Sequence, residues 1–142
     1  MKTTVLSILF ALAFTSLFFI GCEPLDEGTT SDDPRDKYVG EWQFIESFKS
    51  TEGNSYLVSI SKDPNNSSQV ILGNFGNPGS QSITVTGIAT SSQIVVSSQK
   101  MSNGWTIEGS GRTTNVTKSM SRTYAITAGG DKEAYTATAT KQ

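Results

Sequence analysis

A chain of 142 residues with a formal net charge of −2 suits one domain and carries too little positive charge to attract nucleic acid. It contains no histidine, which removes the usual general base near neutral pH, the usual catalytic triad and a common zinc ligand. Its single cysteine, Cys22, has no partner in the chain for a disulfide. We therefore expect no enzyme, no metal or cofactor site, no nucleic-acid partner and a fold stabilised by burial alone.

The first 21 residues have the pattern of a secretory signal peptide. Lys2 supplies a positive charge, residues 5–20 form an almost wholly apolar run, and Gly21 ends it. Such a run is too short and wrongly flanked for a transmembrane helix. We therefore assign residues 1–21 to a signal peptide that is removed from the mature chain.

Residues 22–36 are predicted to be a flexible acidic tether. They combine Glu, Asp, Gly, Thr, Ser and Pro, and Leu25 is their only large apolar residue. A segment of this composition cannot bury enough apolar surface to fold by itself. The folded domain is therefore predicted to occupy residues 37–142.

Alternation of apolar and polar side chains recurs through residues 37–142 and predicts eight short strands. In the first strand, Trp42 and Phe44 share one face, whereas Ile45 and Glu46 interrupt the pattern and indicate a bulge or a strand covered on both sides. Turn sequences such as Asn103-Gly104 separate the strand-like runs. No segment has a convincing helical period, so the sequence predicts an all-β domain.

Eight strands without a helix must hide their edges by closing into a barrel or by packing as a sandwich. We predict a single antiparallel meander closed as a barrel, with a β-sandwich as the alternative. Such a barrel encloses just enough space for side chains or one small ligand. Trp105, Ile107, Gly109 and Gly111 are predicted to share one face, where the glycines indicate a sharply coiled strand or a close approach of the backbone. The predicted interior faces carry medium-sized side chains and several Gly and Ala, which leaves room for a cavity.

The segment Phe19-Ile20-Gly21-Cys22 resembles the bacterial lipobox, in which the cysteine is acylated and becomes the mature N-terminus. This resemblance implies that Cys22 carries palmitate-type acyl chains, and two or more chains hold a protein stably on a bilayer. The alternative is an ordinary signal peptide that leaves an unpaired cysteine near the cut. The acidic residues that follow resemble a surface-export signal of Bacteroidetes-type lipoproteins, with a solvated linker as the alternative.

The segment Gly40-Glu41-Trp42 resembles the Gly-x-Trp signature of the first strand of lipocalin-type barrels, and its surroundings resemble small lipocalin-like lipoproteins from Bacteroidetes. The resemblance implies that Gly40 and Trp42 close one end of the barrel and that an arginine from a late strand packs over the Trp42 ring. Arg122 is the first candidate for this partner, and Arg112 is the second. Trp42 is then structural, as it also is if it is simply a large core residue.

Glu46 is the least expected acid in the predicted strands, because it interrupts the apolar face of the first strand. A salt-bridged or surface position is the simpler interpretation, and a functional role is the alternative. The sequence does not indicate which residues bind a ligand.

We expect a lipid-anchored binding module of the cell envelope, attached to the outer membrane and exposed at the cell surface if the export signal acts. It would hold a small apolar ligand or serve as an accessory subunit of an envelope assembly. The alternative is a structural or interaction domain with a filled core, whose loops bind a partner protein or a glycan. A mostly apolar cavity of roughly 300 Å³ or more would favour the first function, and a solid core would favour the second.

Overall fold

The computed structural model describes residues 33–48, 51–115 and 118–142. The predicted signal peptide, Cys22 and most of the predicted tether lie outside the described residues. None of the residues in these three ranges belongs to a helix long and apolar enough to cross a membrane. The strands are β1 (Gly40–Phe48), β2 (Thr51–Lys62), β3 (Gln69–Gly73), β4 (Thr84–Ala89), β5 (Gln93–Lys100), β6 (Thr106–Asn115), β7 (Ser119–Ala128) and β8 (Asp131–Lys141).

Each strand pairs with the next in antiparallel orientation, and β8 pairs with β1, so the sheet closes into a barrel. At the closure, Trp42 lies opposite Val58 of β2 on one side and opposite Lys141 of β8 on the other. Closure pairs the first strand with the last, so neither is left as a free edge of the meander through which copies could associate. The predicted closed meander is confirmed, and the sandwich alternative is wrong.

The bulge predicted in the first strand is confirmed. The register between β1 and β2 shifts between Ile45 and Ser47. Trp42, Phe44 and Glu46 are buried, whereas the side chain of Ile45 is 46 % exposed. The irregularity therefore accompanies a strand that keeps its inward row, but with a carboxylate as the third member of that row.

All eight strands contribute side chains to one interior cluster, and the outward rows are mostly polar, with Ile45, Leu57 and Ile88 as exposed large apolar residues. On β8, for example, Thr136, Thr138 and Thr140 are exposed. The buried apolar residues are Tyr38, Trp42, Phe44, Tyr56, Val58, Ile60, Val70, Leu72, Phe75, Val85, Ala89, Ile94, Val96, Met101, Ile107, Met120, Tyr124, Ile126, Ala137 and Ala139. The cluster is continuous through the barrel, so side chains fill much of its interior.

One end of the barrel, which we call the closed end, is where β1 begins and β8 ends. Residues 33–38 form a turn there, in which the Asp36 amide donates to the Asp33 carbonyl at 2.9 Å. Arg35 Nη1 donates to the carbonyl oxygen of Asn66 at 2.9 Å, and the Tyr38 hydroxyl donates to the carbonyl oxygen of Thr90 at 2.9 Å. Residues 33–36, which the sequence assigned to the tether, are thus hydrogen-bonded to the barrel.

The close approach predicted at Gly109 and Gly111 is confirmed. A Cβ atom at Gly111 would collide with Arg122 Cδ, and one at Gly109 would lie 2.6 Å from the carbonyl oxygen of Thr123. The absent side chains make room for a long buried side chain and for the neighbouring strand. Neither position therefore has room for a side chain.

Candidate functional site

A cavity of about 420 Å³ lies at the opposite end, which we call the open end. The β3–β4 loop, the β5–β6 loop and the β7–β8 turn lie at this end. We call this cavity the mouth pocket. It is lined by Glu46, Gly76, Asn77, Trp105, Ile126, Ala128, Asp131, Glu133 and Tyr135.

The β3–β4 loop separates the mouth pocket from the barrel interior. Its residue Phe75 is fully buried, with its ring centre 6.2 Å from that of Phe44 and 5.0 Å from that of Tyr124. Asn74 fastens the loop, because its Nδ2 donates to the Leu57 carbonyl oxygen at 3.0 Å and its Oδ1 accepts from the Gly79 amide at 3.1 Å. Phe75 therefore fills interior space that a ligand would otherwise use.

Glu46 sits at the base of the mouth pocket and is only 8 % exposed. The Tyr124 hydroxyl donates to Glu46 Oε1, and the Tyr56 and Tyr124 hydroxyl oxygens are 2.9 Å apart. Burial raises the pKa of Tyr56 to about 12, and burial also raises the pKa of Tyr124 well above its usual value. Both phenols therefore stay protonated at neutral pH, and Tyr124 orients the carboxylate by a fixed hydrogen bond.

Two aromatic side chains form part of the pocket wall. The Tyr135 ring stacks on that of Tyr124, with centres 5.5 Å apart and planes 16° apart. The Tyr135 hydroxyl donates to Glu133 Oε2 at 2.6 Å, and this hydrogen bond raises the pKa of Tyr135 to about 12. Trp105, which directly precedes β6, is half-buried on the same pocket. The stacking holds the Tyr135 ring in place as a wall of the pocket.

The lining of the mouth pocket carries negative charge only. Glu46, Asp131 and Glu133 belong to it, and it includes no Lys or Arg. Within the described ranges, the salt bridges do not involve these three carboxylates, and the neighbouring Lys132 pairs with Glu108 instead. The pocket can therefore accept hydrogen bonds and attract positive charge.

Of the residues chosen from sequence for barrel closure, Gly40 and Trp42 lie at the closed end. Gly40 has φ of 129°, a conformation that side chains rarely adopt, at the start of β1. Trp42 is 1 % exposed, and its Nε1 donates to the Tyr38 carbonyl oxygen at 2.7 Å. The cation over the Trp42 ring is Lys141, whose Nζ lies 5.9 Å from the ring centre.

The two candidate arginines lie in different environments. Arg112 is exposed on the outside of the barrel. Arg122 is 1 % exposed, and its guanidinium carbon lies 5.1 Å from the centre of the Phe75 ring. The packing of Arg122 over Trp42 stays a prediction, whereas its contact with Phe75 was not foreseen.

None of the three side-chain nitrogens of Arg122 has a hydrogen-bond partner among the described residues. Burial lowers the pKa of Arg122 to about 10. A buried, unpaired polar group costs free energy, and a charged one costs more. The guanidinium of Arg122 is therefore expected to lower the stability of the fold, although the side chain is fully buried.

Sequence reasoning identified Glu46 as unusual but missed the rest of the mouth pocket. Trp105 was expected to continue the inward face of β6, yet it lies before the strand. The sequence predicted Asp131 in a turn and Glu133 at the start of the last strand, with no function for either. The one available signal was the Gly129-Gly130 turn, which marks a tight connection between two strands but not what that connection adjoins.

No family model matches the chain, and no curated protein matches it. Among solved structures, a redesigned β-barrel aligns with 78 % of this chain and 96 % of its own, at 11 % identity and a TM-score of 0.52. A protein from Bacteroides fragilis described as a putative outer membrane protein aligns at 14 % identity and a TM-score of 0.48. That alignment covers 78 % of this chain and 52 % of the other, so this chain spans about half its length. The first likeness supports the barrel fold alone.

Replacing Arg122 by Met removes the unpaired charge and keeps a long apolar stem beside Gly111. We expect the free energy of unfolding to rise by about 1–3 kcal/mol, as when buried charges give way to apolar side chains. Denaturant unfolding measures this change, with exposed Arg112→Met as the control, expected within about 0.5 kcal/mol of the parent. A fall of more than about 1 kcal/mol would instead assign the guanidinium a stabilising role.

The raised pKa of Tyr56 predicts loss of stability at alkaline pH. In the unfolded chain the phenol ionises near pH 10, whereas in the barrel it keeps its proton to about pH 12. Its contribution is therefore complete below pH 10 and is lost as the pH rises to about 12. Denaturant titrations at several pH values in this range give the free energy of unfolding as a function of pH. Its fall with pH should be less steep in Tyr56→Phe than in the parent protein, by about 1.4 kcal/mol per pH unit. Equal slopes in both proteins would contradict the assignment.

Proposed function

We propose that this protein is a binding module of the cell envelope, lipid-anchored to the outer membrane through Cys22, which takes a small ligand in its mouth pocket. The observation that carries the ligand part is the pocket itself, about 420 Å³ in volume. This volume lies within the range of small-molecule sites. The lining supports a ligand with an apolar body, since Ile126 and the rings of Trp105 and Tyr135 belong to it.

The mouth pocket lies at the open end of the barrel, whereas the ligand was expected in the interior. The sequence led us to expect a ligand in the barrel interior, but Phe75 and its aromatic neighbours occupy that space. The mouth pocket instead combines apolar walls with carboxylates, so an amphipathic molecule suits it better than a purely apolar one. Its base is closed by the β3–β4 loop, so binding does not require the barrel to open.

The outward polar rows support anchoring by a lipid rather than by the strands. A barrel that faces a bilayer presents apolar side chains outward. Here Thr136, Thr138 and Thr140 point outward on β8, and the exposed large apolar side chains of the described residues are one each on β1, β2 and β4. The lipobox resemblance at Cys22 then supplies the attachment that the barrel surface does not.

The filled interior favours a second candidate function, an interaction domain that binds a partner protein or a glycan through its loops. The buried position of Phe75 is the specific observation in its favour, because it removes the deep cavity that a carrier of apolar molecules needs. The two functions differ in whether a small molecule alone binds at the open end.

Replacing Cys22 by Ser tests the anchor. We expect the variant to move from the membrane fraction to the soluble fraction, because serine cannot form the thioether that attaches the acyl chains. Fractionation of cells followed by immunoblotting measures the shift. Membrane association that persists in Cys22→Ser would contradict lipid anchoring.

Replacing Ala128 by Trp tests the mouth pocket, because the new ring would occupy it. In ligand-observed NMR with a panel of small aromatic molecules, we expect binding to the parent protein and at least a tenfold loss in Ala128→Trp. The matched control is Ala134→Trp, which places the same ring on an exposed site of the neighbouring strand. Binding that survives in Ala128→Trp would contradict the mouth pocket as the site, and absence of binding to the parent would favour the interaction domain.

A further inference from the structure

The mouth pocket has an unbalanced charge at a site that is only partly open to water. Glu46 is the decisive residue, because it is 8 % exposed and therefore lacks the hydration of a surface carboxylate. Its one described hydrogen bond comes from the neutral phenol of Tyr124, and none of the described salt bridges includes it. Charged side chains are rarely buried without a partner. The buried cation Arg122 lies over the Phe75 ring and makes no described salt bridge with Glu46, so the accessible side of the carboxylate is the pocket.

Asp131 and Glu133 are exposed and add negative charge on the solvent side of the mouth pocket. Asp131 begins β8 at the rim, and Glu133 lies two residues further along the strand. Glu133 accepts a hydrogen bond from the neutral Tyr135 hydroxyl, which orients the carboxylate but does not neutralise its charge. Charges of one sign in a cleft raise the local concentration of oppositely charged ligands.

The aromatic walls indicate what kind of positive charge fits. The faces of aromatic rings attract cations, most strongly Trp and then Tyr, and Trp105 and Tyr135 both line the pocket. A bare metal ion is a poorer fit, because the described residues contain no group of three His, Cys, Asp or Glu able to hold one. An organic ammonium group suits carboxylates that are spread around a cavity, since its apolar carbons can fill the space between them.

We infer that the mouth pocket binds an organic cation, an ammonium group on an apolar or aromatic body, with Glu46 as the residue that recognises the charge. This inference rests on the proposed function, in that both place the ligand in the mouth pocket. The ammonium group hydrogen-bonds to the Glu46 carboxylate at the base of the pocket. The apolar body packs between Ile126 and the aromatic walls, and Asp131 and Glu133 attract the ligand at the rim.

The test compares probes that share one body and differ in charge: 2-phenylethylamine, 2-phenylethanol and 3-phenylpropanoate. Titration calorimetry on the full chain should show the amine binding at least tenfold more tightly than the alcohol, with no binding of the carboxylate. In Glu46→Gln the amine should lose at least tenfold in affinity while the alcohol is unchanged. Glutamine keeps an oxygen acceptor for the Tyr124 hydroxyl, so the variant is expected to fold.

The matched control is Glu41→Gln, which removes an equal charge from an exposed position on β1 that takes part in none of the described salt bridges, and its amine affinity should stay within twofold of the parent. If Glu46→Gln does not fold, Asp131→Asn at the exposed rim replaces it, with an expected amine loss of about threefold. Equal binding of amine and alcohol would overturn the cation inference and leave the proposed site standing. Absence of binding by all three probes, or equal loss in Glu46→Gln and Glu41→Gln, would also overturn it.

Discussion

The pairing of β8 with β1 is the constraint on which the rest of the structure depends. Because the sheet closes on itself, every strand has one row of side chains inside and one outside, and β1 and β8 pair with each other instead of forming free edges. Closure also divides the connections between two ends. The turn that contains Arg35 and Tyr38 covers one end, while the β3–β4 loop, the β5–β6 loop and the β7–β8 turn adjoin the mouth pocket at the other.

Competition for interior space then decides where a cavity remains. Eight strands enclose little volume, and a continuous cluster takes much of it, including the loop residue Phe75 and the long side chain of Arg122. At Gly109 and Gly111 the neighbouring strand and the Arg122 side chain come too close for a side chain to fit. The mouth pocket therefore lies at the open end, with the buried carboxylate of Glu46 in its lining.

The fold was predictable from the sequence because the period-2 signal is local. Trp42 and Phe44 alternate with polar residues, and an inward row must be apolar wherever it lies in the barrel. The irregularity at Ile45 and Glu46 was also local, so the bulge could be predicted. The contacts of Arg122 could not, because which ring a long side chain meets depends on the strands and loops packed across the interior.

The sequence by itself determined an all-β chain of eight strands, a turn-rich connection between each pair, and an N-terminal segment with the pattern of a lipoprotein signal. These follow from residue type and spacing alone. Only the tertiary structure decided that the sheet closes as a barrel, that Phe75 fills the interior, and that Glu46, Trp105 and Tyr135 share one pocket. These three residues come from distant parts of the chain, and closure of the barrel is the physical event that brings them together.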